Sequence, residues 1–337
     1  MSLSIPLLRG LGKKVTLDHV YGSQFSLRTA ERSIYTAQVN VVLETVSAVY
    51  DIKKQLELVN LFEFQGAQLA GHAETARIKE RVGLASPIDI YRAEIRLKDA
   101  EDSLASARES VSNARDRLKL ILSVPLEKEI RVSAPSTSDP IRIGSDEAAK
   151  LALHHRIELE QRADDIREAE RRVLIAKHNL LPQMDLVVDY DRFNSADEFR
   201  ESMDFNQDRW AIHLSSDTDW ARTNEKISHR QSLLSLKTAQ LNLDQTIDEI
   251  KREVRRQIQS LDKSLARIRI RRAQLKQADG KLSLANLKFN YDMADNFDVI
   301  EAETERQRAK VDLLSTEIDY IIGTYRMRSI LGTLIER

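Results

Sequence analysis

The stretch IYRAEIRLKDAEDSLASARESVSNARDRLKLI, residues 90–121, decides how the chain is read. Small or apolar residues stand at Ile90, Ala93, Leu97, Ala100, Leu104, Ala107, Val111, Ala114, Leu118 and Ile121. The steps alternate three and four without a slip, which is the heptad seam of a coiled coil. Adding 209 to each position gives Val299, Ala302, Arg306, Ala309, Leu313, Thr316, Tyr320, Gly323, Met327 and Ile330. That second frame keeps the seam, with a few polar or small substitutions. The same offset carries Val49, Ile52, Leu56 and Val59 onto Ile258, Leu261, Leu265 and Ile268. Repetition at a fixed long period marks a duplicated unit. The expected fold is therefore mainly α: two copies of a long antiparallel coiled-coil hairpin, residues 16–123 and 219–337.

Each copy is broken at one point. In the first, Val82-Gly83-Leu84-Ala85-Ser86-Pro87-Ile88-Asp89 contains a glycine suited to a C-terminal stop and a proline suited to a first helical turn. Ser86 with Asp89 three residues on approximates a capping box. In the second, Tyr291-Asp292-Met293-Ala294-Asp295-Asn296-Phe297-Asp298 lacks Gly and Pro, and Asp295 or Asn296 can cap. The ascending helix from Thr16 to Arg81 would span roughly 100 Å at 1.5 Å per residue. Such a helix needs a partner along its length, and the Ala-rich seams allow a close one.

Between the hairpins the character changes. Residues 124–155 are turn-rich around short extended pieces at 130–132 and 141–143, and a helix is expected from Arg156 to Leu180. Residues 124–181 are thus a connecting segment, and 182–218 a strand pair. After Pro182, Leu186, Val188 and Tyr190 point one way, and Asp185, Val187, Asp189 and Asp191 the other. Trp210, Ile212 and Leu214 alternate in the same manner with Ala211, His213 and Ser215. One apolar and one polar face fit a transmembrane β-barrel, and equally an antiparallel sheet on a soluble core.

Composition narrows the functions. The 337 residues carry a net charge of −1, with 31% charged and 5% aromatic residues, ten Gly, six Pro and no Cys. Thiol catalysis, disulfides and Cys-ligated zinc are excluded. No stretch approaches the roughly 18–20 apolar residues of a membrane-spanning helix. The basic run from Lys251 through Arg272 is interspersed with Glu249, Glu253 and Asp262 and lacks aromatics, so it reads as a solvated, ion-paired face and no nucleic-acid partner is expected. His154 and His155 are adjacent and point apart on a helix, a poor spacing for a metal. No nucleophile–base pair, phosphate loop or metal cluster is visible, so no enzyme activity, metal or cofactor is expected. A soluble coiled-coil scaffold is one reading of the seams alone.

Several pieces in order resemble the outer-membrane efflux protein family. These are Ile5-Pro6-Leu7-Leu8-Arg9-Gly10, Val82-Gly83-Leu84 with Asp89 and Ala93, and Arg156-Ile157-Glu158-Leu159 with Ala169-Glu170 and Leu181-Pro182. Asp298-Val299-Ile300-Glu301-Ala302 and Leu331-Gly332-Thr333-Leu334 complete the set. The resemblance implies a homotrimer in which each subunit gives four long helices to a periplasmic tunnel and four strands to a shared barrel in the outer membrane. It implies an exit duct for tripartite efflux or type I secretion, with a periplasmic adaptor and an inner-membrane transporter as partners. Residues 1–15 then read as the end of a membrane strand and its junction, with a signal peptide and a first strand expected upstream.

The resemblance also gives the tips roles. Asp298 and Glu301, one turn apart, would face the lumen at the periplasmic entrance. As first-turn acids they also suit the helix dipole without any gate. Gly83, Leu84, Ala85, Ser86, Asp89, Ala294 and Asp295 would form the adaptor-docking tips. Two departures stand out. The Tyr and Arg that lock the entrance in a family member are replaced here by Phe289 and Ala294, so closure is expected to use other contacts, Tyr291 and Asp292 being the candidates. The strand before the second hairpin ends in Ser216-Asp217-Thr218-Asp219-Trp220, without the family's proline-containing turn.

Overall fold

The computed structural model describes residues 1–83, 86–135, 143–193, 207–219, 221–291, 293–294 and 296–336. In chain order these form β1 (Ser2–Pro6), α1 (Lys13–Thr16), α2 (Asp18–Arg81), α3 (Pro87–Ile121), α4 (Ser145–His155), α5 (Ile157–His178), β2 (Asp185–Phe193), β3 (Gln207–Ser215), α6 (Thr223–Asn290) and α7 (Asn296–Ile330). Both bounds of α7 are those of α3 plus 209, the offset read from the sequence. The chain falls into two compact units. One comprises Met1–Tyr35 with Arg156–Glu249, the other Thr36–His155 with Ile250–Arg337.

In the second unit the seams do what their residues dictate. Ala93, Ala100, Ala107, Val111, Ala114 and Leu118 of α3 are buried, as are Val299, Ala302, Tyr320, Met327 and Ile330 of α7. Ala48 and Ile52 of α2 pack with Ala114 and Leu118 of α3, and Ile130 and Val132 of the connecting segment cover them. Tyr50 of α2 packs with Ile318 and Ile321 of α7, while its hydroxyl donates to the Pro135 carbonyl at 3.2 Å. Lys53 donates to the Ala134 carbonyl at 2.6 Å. The connecting segment is thus fastened to α2 by polar as well as apolar contacts, and its residues 130–132 belong to none of the strands. Residues 141 and 142 lie outside the described residues. Helix α4 replaces what reads as turn material. Gly144-Ser145 opens a helix whose first turn carries Asp146 and Glu147 and whose Ala148 and Ala152, one turn apart, are fully buried.

The two copies also close alike. After α7 the Gly332 amide donates to the Ser329 carbonyl and the Thr333 amide to the Arg328 carbonyl, both at 2.9 Å. After α3 the Ser123 amide donates to Leu120 at 3.1 Å and the Val124 amide to Lys119 at 2.8 Å. These are two Schellman motifs 209 residues apart, each with its turning residue at positive φ, +72° for Gly332 and +52° for Ser123. A side chain in that conformation is strained. Ser123→Gly is expected to raise the unfolding free energy by about 1 kcal/mol, read as a higher urea midpoint at unchanged m-value; no gain would mean the turn tolerates serine without strain.

In the first unit, β1 pairs with β2 and β2 with β3, all antiparallel. The register sets Leu3, Val188 and Ile212 side by side, Ile5 with Leu186 and Leu214, and Tyr190 with Trp210. Directly opposed residues share a face, so one face is apolar up to the loop end of β2 and β3, where Arg192 and Asp208 stand on it. The other carries Ser2, Ser4, Asp185, Val187, Asp189 and His213. The last two meet across strands at 3.5 Å.

Helix α5 meets α2 along an unusual seam in the same unit. Gln161, Asp164, Glu168 and Arg171 recur at heptad spacing, and all four make polar contacts. Asp164, 3% exposed, accepts from Arg28 Nε at 3.0 Å and Arg32 Nη2 at 2.7 Å on one oxygen, and from Arg167 Nη1 at 2.9 Å on the other. Arg32 also donates to Gln161 Oε1 at 2.9 Å, and Gln161 to Thr29 Oγ1 at 3.1 Å. Glu168 accepts from Arg171 and Arg172, and Arg171 ion-pairs Asp18 as well. Arg162 Nε reaches Thr246 Oγ1 of α6 at 3.2 Å.

Candidate functional site: the hairpin tips

The first tip is built as its residues require. Gly83, at φ +77°, donates to the Glu80 carbonyl at 2.9 Å and turns the chain out of α2. The Ser86 hydroxyl accepts from the Ile88 amide at 3.4 Å, and Asp89 Oδ2 accepts from the Ser86 amide at 3.1 Å. With Pro87 at the first helical position, the capping box read from the sequence is formed. Leu84 and Ala85 lie outside the described residues. Around the turn Val82, Ile88, Tyr91 and Ile95 are exposed, an apolar strip on the outside of the hairpin.

At the second tip the Tyr291 and Met293 amides both donate to the Lys288 carbonyl, at 3.1 and 2.8 Å. Tyr291, 71% exposed, and Met293 project into solvent. Ala294 is half-buried, and Asp292 and Asp295 lie outside the described residues. Asp298 is exposed in the first turn of α7, one turn below Glu301. Lys281 of α6 lies 3.3 Å from Glu301 and 2.9 Å from Glu305. Hydrogen bonds and charge from these two carboxylates, Glu305 first, hold its ammonium above the ordinary lysine value. Lys281 thus shares its charge between Glu301 and Glu305.

Three contacts join the hairpins behind the tips, and none of their charged members is visible as a site residue in the sequence. Lys79 Nζ of α2 lies 4.0 Å from the centroid of the Phe289 ring of α6. Arg92 of α3 sits 5.4 Å over Phe297 of α7. His72 Nε2 of α2 meets Glu303 Oε2 of α7 at 3.1 Å, both half-buried. Between them Ile300 is buried against Leu69, Ala73, Ala76, Ala93 and Ala100. Cation–π contacts of this kind are worth about 0.5–1 kcal/mol at exposed sites. Phe289 has no hydroxyl to donate. Its ring face takes a lysine from the other hairpin instead. The pairing joins residues 210 positions apart, beyond the reach of local pattern.

The chain thus combines two duplicated long hairpins, a connecting helical segment and a three-stranded antiparallel sheet. Over 333 residues the chain is 20% identical to the outer membrane protein TolC of Vibrio cholerae, covering 94% of this chain and 74% of that one. Its structure is similar to that of the outer membrane protein VceC of Vibrio cholerae, with a TM-score of 0.80, 16% identity and coverage of 98% and 78% of the two chains. The Campylobacter jejuni CmeC outer membrane channel gives a TM-score of 0.82 at 16% identity over 99% and 71%. No protein-family model matches the chain. The resemblance carried by the short motifs thus extends to the whole fold.

Proposed function

We propose that the chain is one protomer of a trimeric outer-membrane channel, the passive exit duct of a tripartite efflux or type I secretion system. The observation that carries this reading is the exposed apolar sheet face. Trp210 is 67%, Ile212 70% and Leu214 57% exposed, beside Leu3 and Ile5, on strands whose other face is polar. A barrel wall with lipid outside and water inside has this pattern. A soluble coiled-coil scaffold gives no reason for it. Further copies of the chain account for two other bare stripes. Val20, Leu27, Ile34 and Val41 recur every seven residues along α2, and Ile227, Leu234 and Leu241 along α6, all exposed in the single chain. Heptad stripes of this length are covered by a partner helix in stable assemblies.

Transport through such a duct takes place by diffusion along a water-filled lumen and needs no reaction. The tips at 82–89 and 291–298 form the inward end, where a periplasmic adaptor docks and links the duct to an inner-membrane transporter. Rings of Asp298 and Glu301, three carboxylates each, attract cations and repel anions at the entrance. In planar bilayers, Asp298→Ala is expected to weaken block by a trivalent cation about tenfold, an effect of about 1.4 kcal/mol. Glu301→Ala is expected to weaken it as well. Unchanged conductance and cation block in the double variant would remove the gate assignment.

A further inference from the structure

The three junctions between strands and helices are tied into one belt. The Leu7 amide donates to the Met184 carbonyl at 2.8 Å, Arg9 to Pro182 at 3.3 Å, and Gly10 to His178 Nε2 at 3.0 Å. On the other side, Gln183 donates to Thr218 Oγ1 at 3.0 Å, Ser216 to the Gln183 carbonyl at 2.9 Å, and Arg222 Nη1 to the Leu180 carbonyl at 2.6 Å. These bonds close the junction that lacks a proline turn.

The belt is rich in cations. Residues 7–19, 171–184 and 216–232 hold nine Lys and Arg against four Asp and Glu, in a chain whose net charge is −1. Some of these cations are spoken for. Arg9 pairs with Glu225, Arg171 and Arg172 with Glu168, and Lys226 donates to the Ala221 carbonyl. Lys13, Lys14, Lys177 and Arg230 are exposed and have no ion-pair partner among the described residues. Lys13, Lys14 and Lys177 lie within eight residues of a strand end along the chain, and Arg230 two turns into α6; Leu7, Leu11 and Leu181, in the same segments, are exposed. An apolar wall whose strands lead into segments carrying unpaired cations is the profile of a membrane–water boundary whose headgroups are negative.

We propose that this basic belt binds the anionic phospholipid headgroups of the leaflet facing the helices, and so fixes the depth of the strands in the bilayer. This rests on the outer-membrane reading above. Lysines on flexible stems suit the task, since they reach phosphates laterally while their methylenes lie along the acyl boundary.

The test is flotation of the chain, purified in detergent, with vesicles of phosphatidylcholine alone or with about one third phosphatidylglycerol. Stronger uptake by the anionic vesicles is expected, falling as salt rises. Lys13→Gln, Lys14→Gln and Lys177→Gln should each reduce that preference by up to about fivefold, without changing uptake by neutral vesicles. These side chains are exposed, so the fold is not at risk. Equal uptake by both vesicles, or a preference that survives the triple variant, would overturn the belt and leave the membrane reading intact. Uptake by neither vesicle would overturn both. A Trp210→Ser, Ile212→Ser variant that loses uptake by both vesicles while its parent retains it places the failure in the apolar face.

Discussion

Replacing Gly332 by alanine is expected to lower the unfolding free energy by about 2–4 kcal/mol. Two costs add. The residue sits at φ +72°, where a Cβ crowds the following carbonyl and costs about 1–2 kcal/mol. A Cβ built there would also lie 2.9 Å from the carbonyl carbon and oxygen of His155 and 3.0 Å from its Cβ. Two of these three atoms are main chain, at the junction of α4 and α5, so a rotamer change does not relieve the contact. Either the Schellman turn or the α4–α5 junction must shift. Gly66→Ala is the control. Gly66 lies inside α2, and an added Cβ meets nothing within 4 Å. Alanine there should be neutral or gain up to about 1 kcal/mol through helix propensity. Urea unfolding followed by far-UV circular dichroism, at one protein concentration for all variants, separates the two. A loss at Gly332 no greater than at Gly66 would mean that the close approach to His155 carries no load.

This contact shows where the sequence is legible and where it is not. Helix bounds, the duplication and the facing of the strands follow from periods of 3.5 and 2, because burial of one stripe or one face imposes them locally. Alternation fixes which residues share a face, but a slip of two residues would keep every facing, so the register that sets Leu186 beside Leu214 and Val188 beside Ile212 is not legible. Leu331-Gly332-Thr333 reads as a helix end, but that His155 lies against it does not follow from any period. Helix α4 is hidden for a related reason: an 11-residue element behind Gly144-Ser145, buried through two alanines, offers a short and weakly apolar pattern. At the tips, the Ser86–Asp89 cap is legible because it is local. The Lys79–Phe289 and His72–Glu303 contacts are not, because they depend on how one repeat is laid against the other.

The polar seam of α5 is the extreme case, since a hydrophobic template passes over it, and it sets the second large effect. Burial alone pushes the Asp164 carboxyl up, but hydrogen bonds and charge from Arg32 and Arg28 outweigh it and hold the group below its ordinary value. Depressed in the folded state, it contributes stability that is fully present above the unfolded value of about 3.9. That contribution is lost as pH falls through the folded value. Asp164→Asn keeps the shape but turns an amide NH2 toward a guanidinium and leaves Arg32, itself mostly buried, without its carboxylate. Breaking a buried pair from one side costs about 3–5 kcal/mol. Arg28 and Arg167 are nearly half and three-quarters exposed and can turn to water, so about 2–3 kcal/mol is expected here. The sign of the pH dependence distinguishes this from a packing defect. At neutral pH the variant should be less stable by the full amount. Below about pH 3.9 the gap should close, because the parent is then losing the same carboxylate charge to protonation. Paired urea titrations at neutral and acid pH measure it, and a gap that stays constant would mean that Asp164 holds α5 to α2 by shape, with its charge idle.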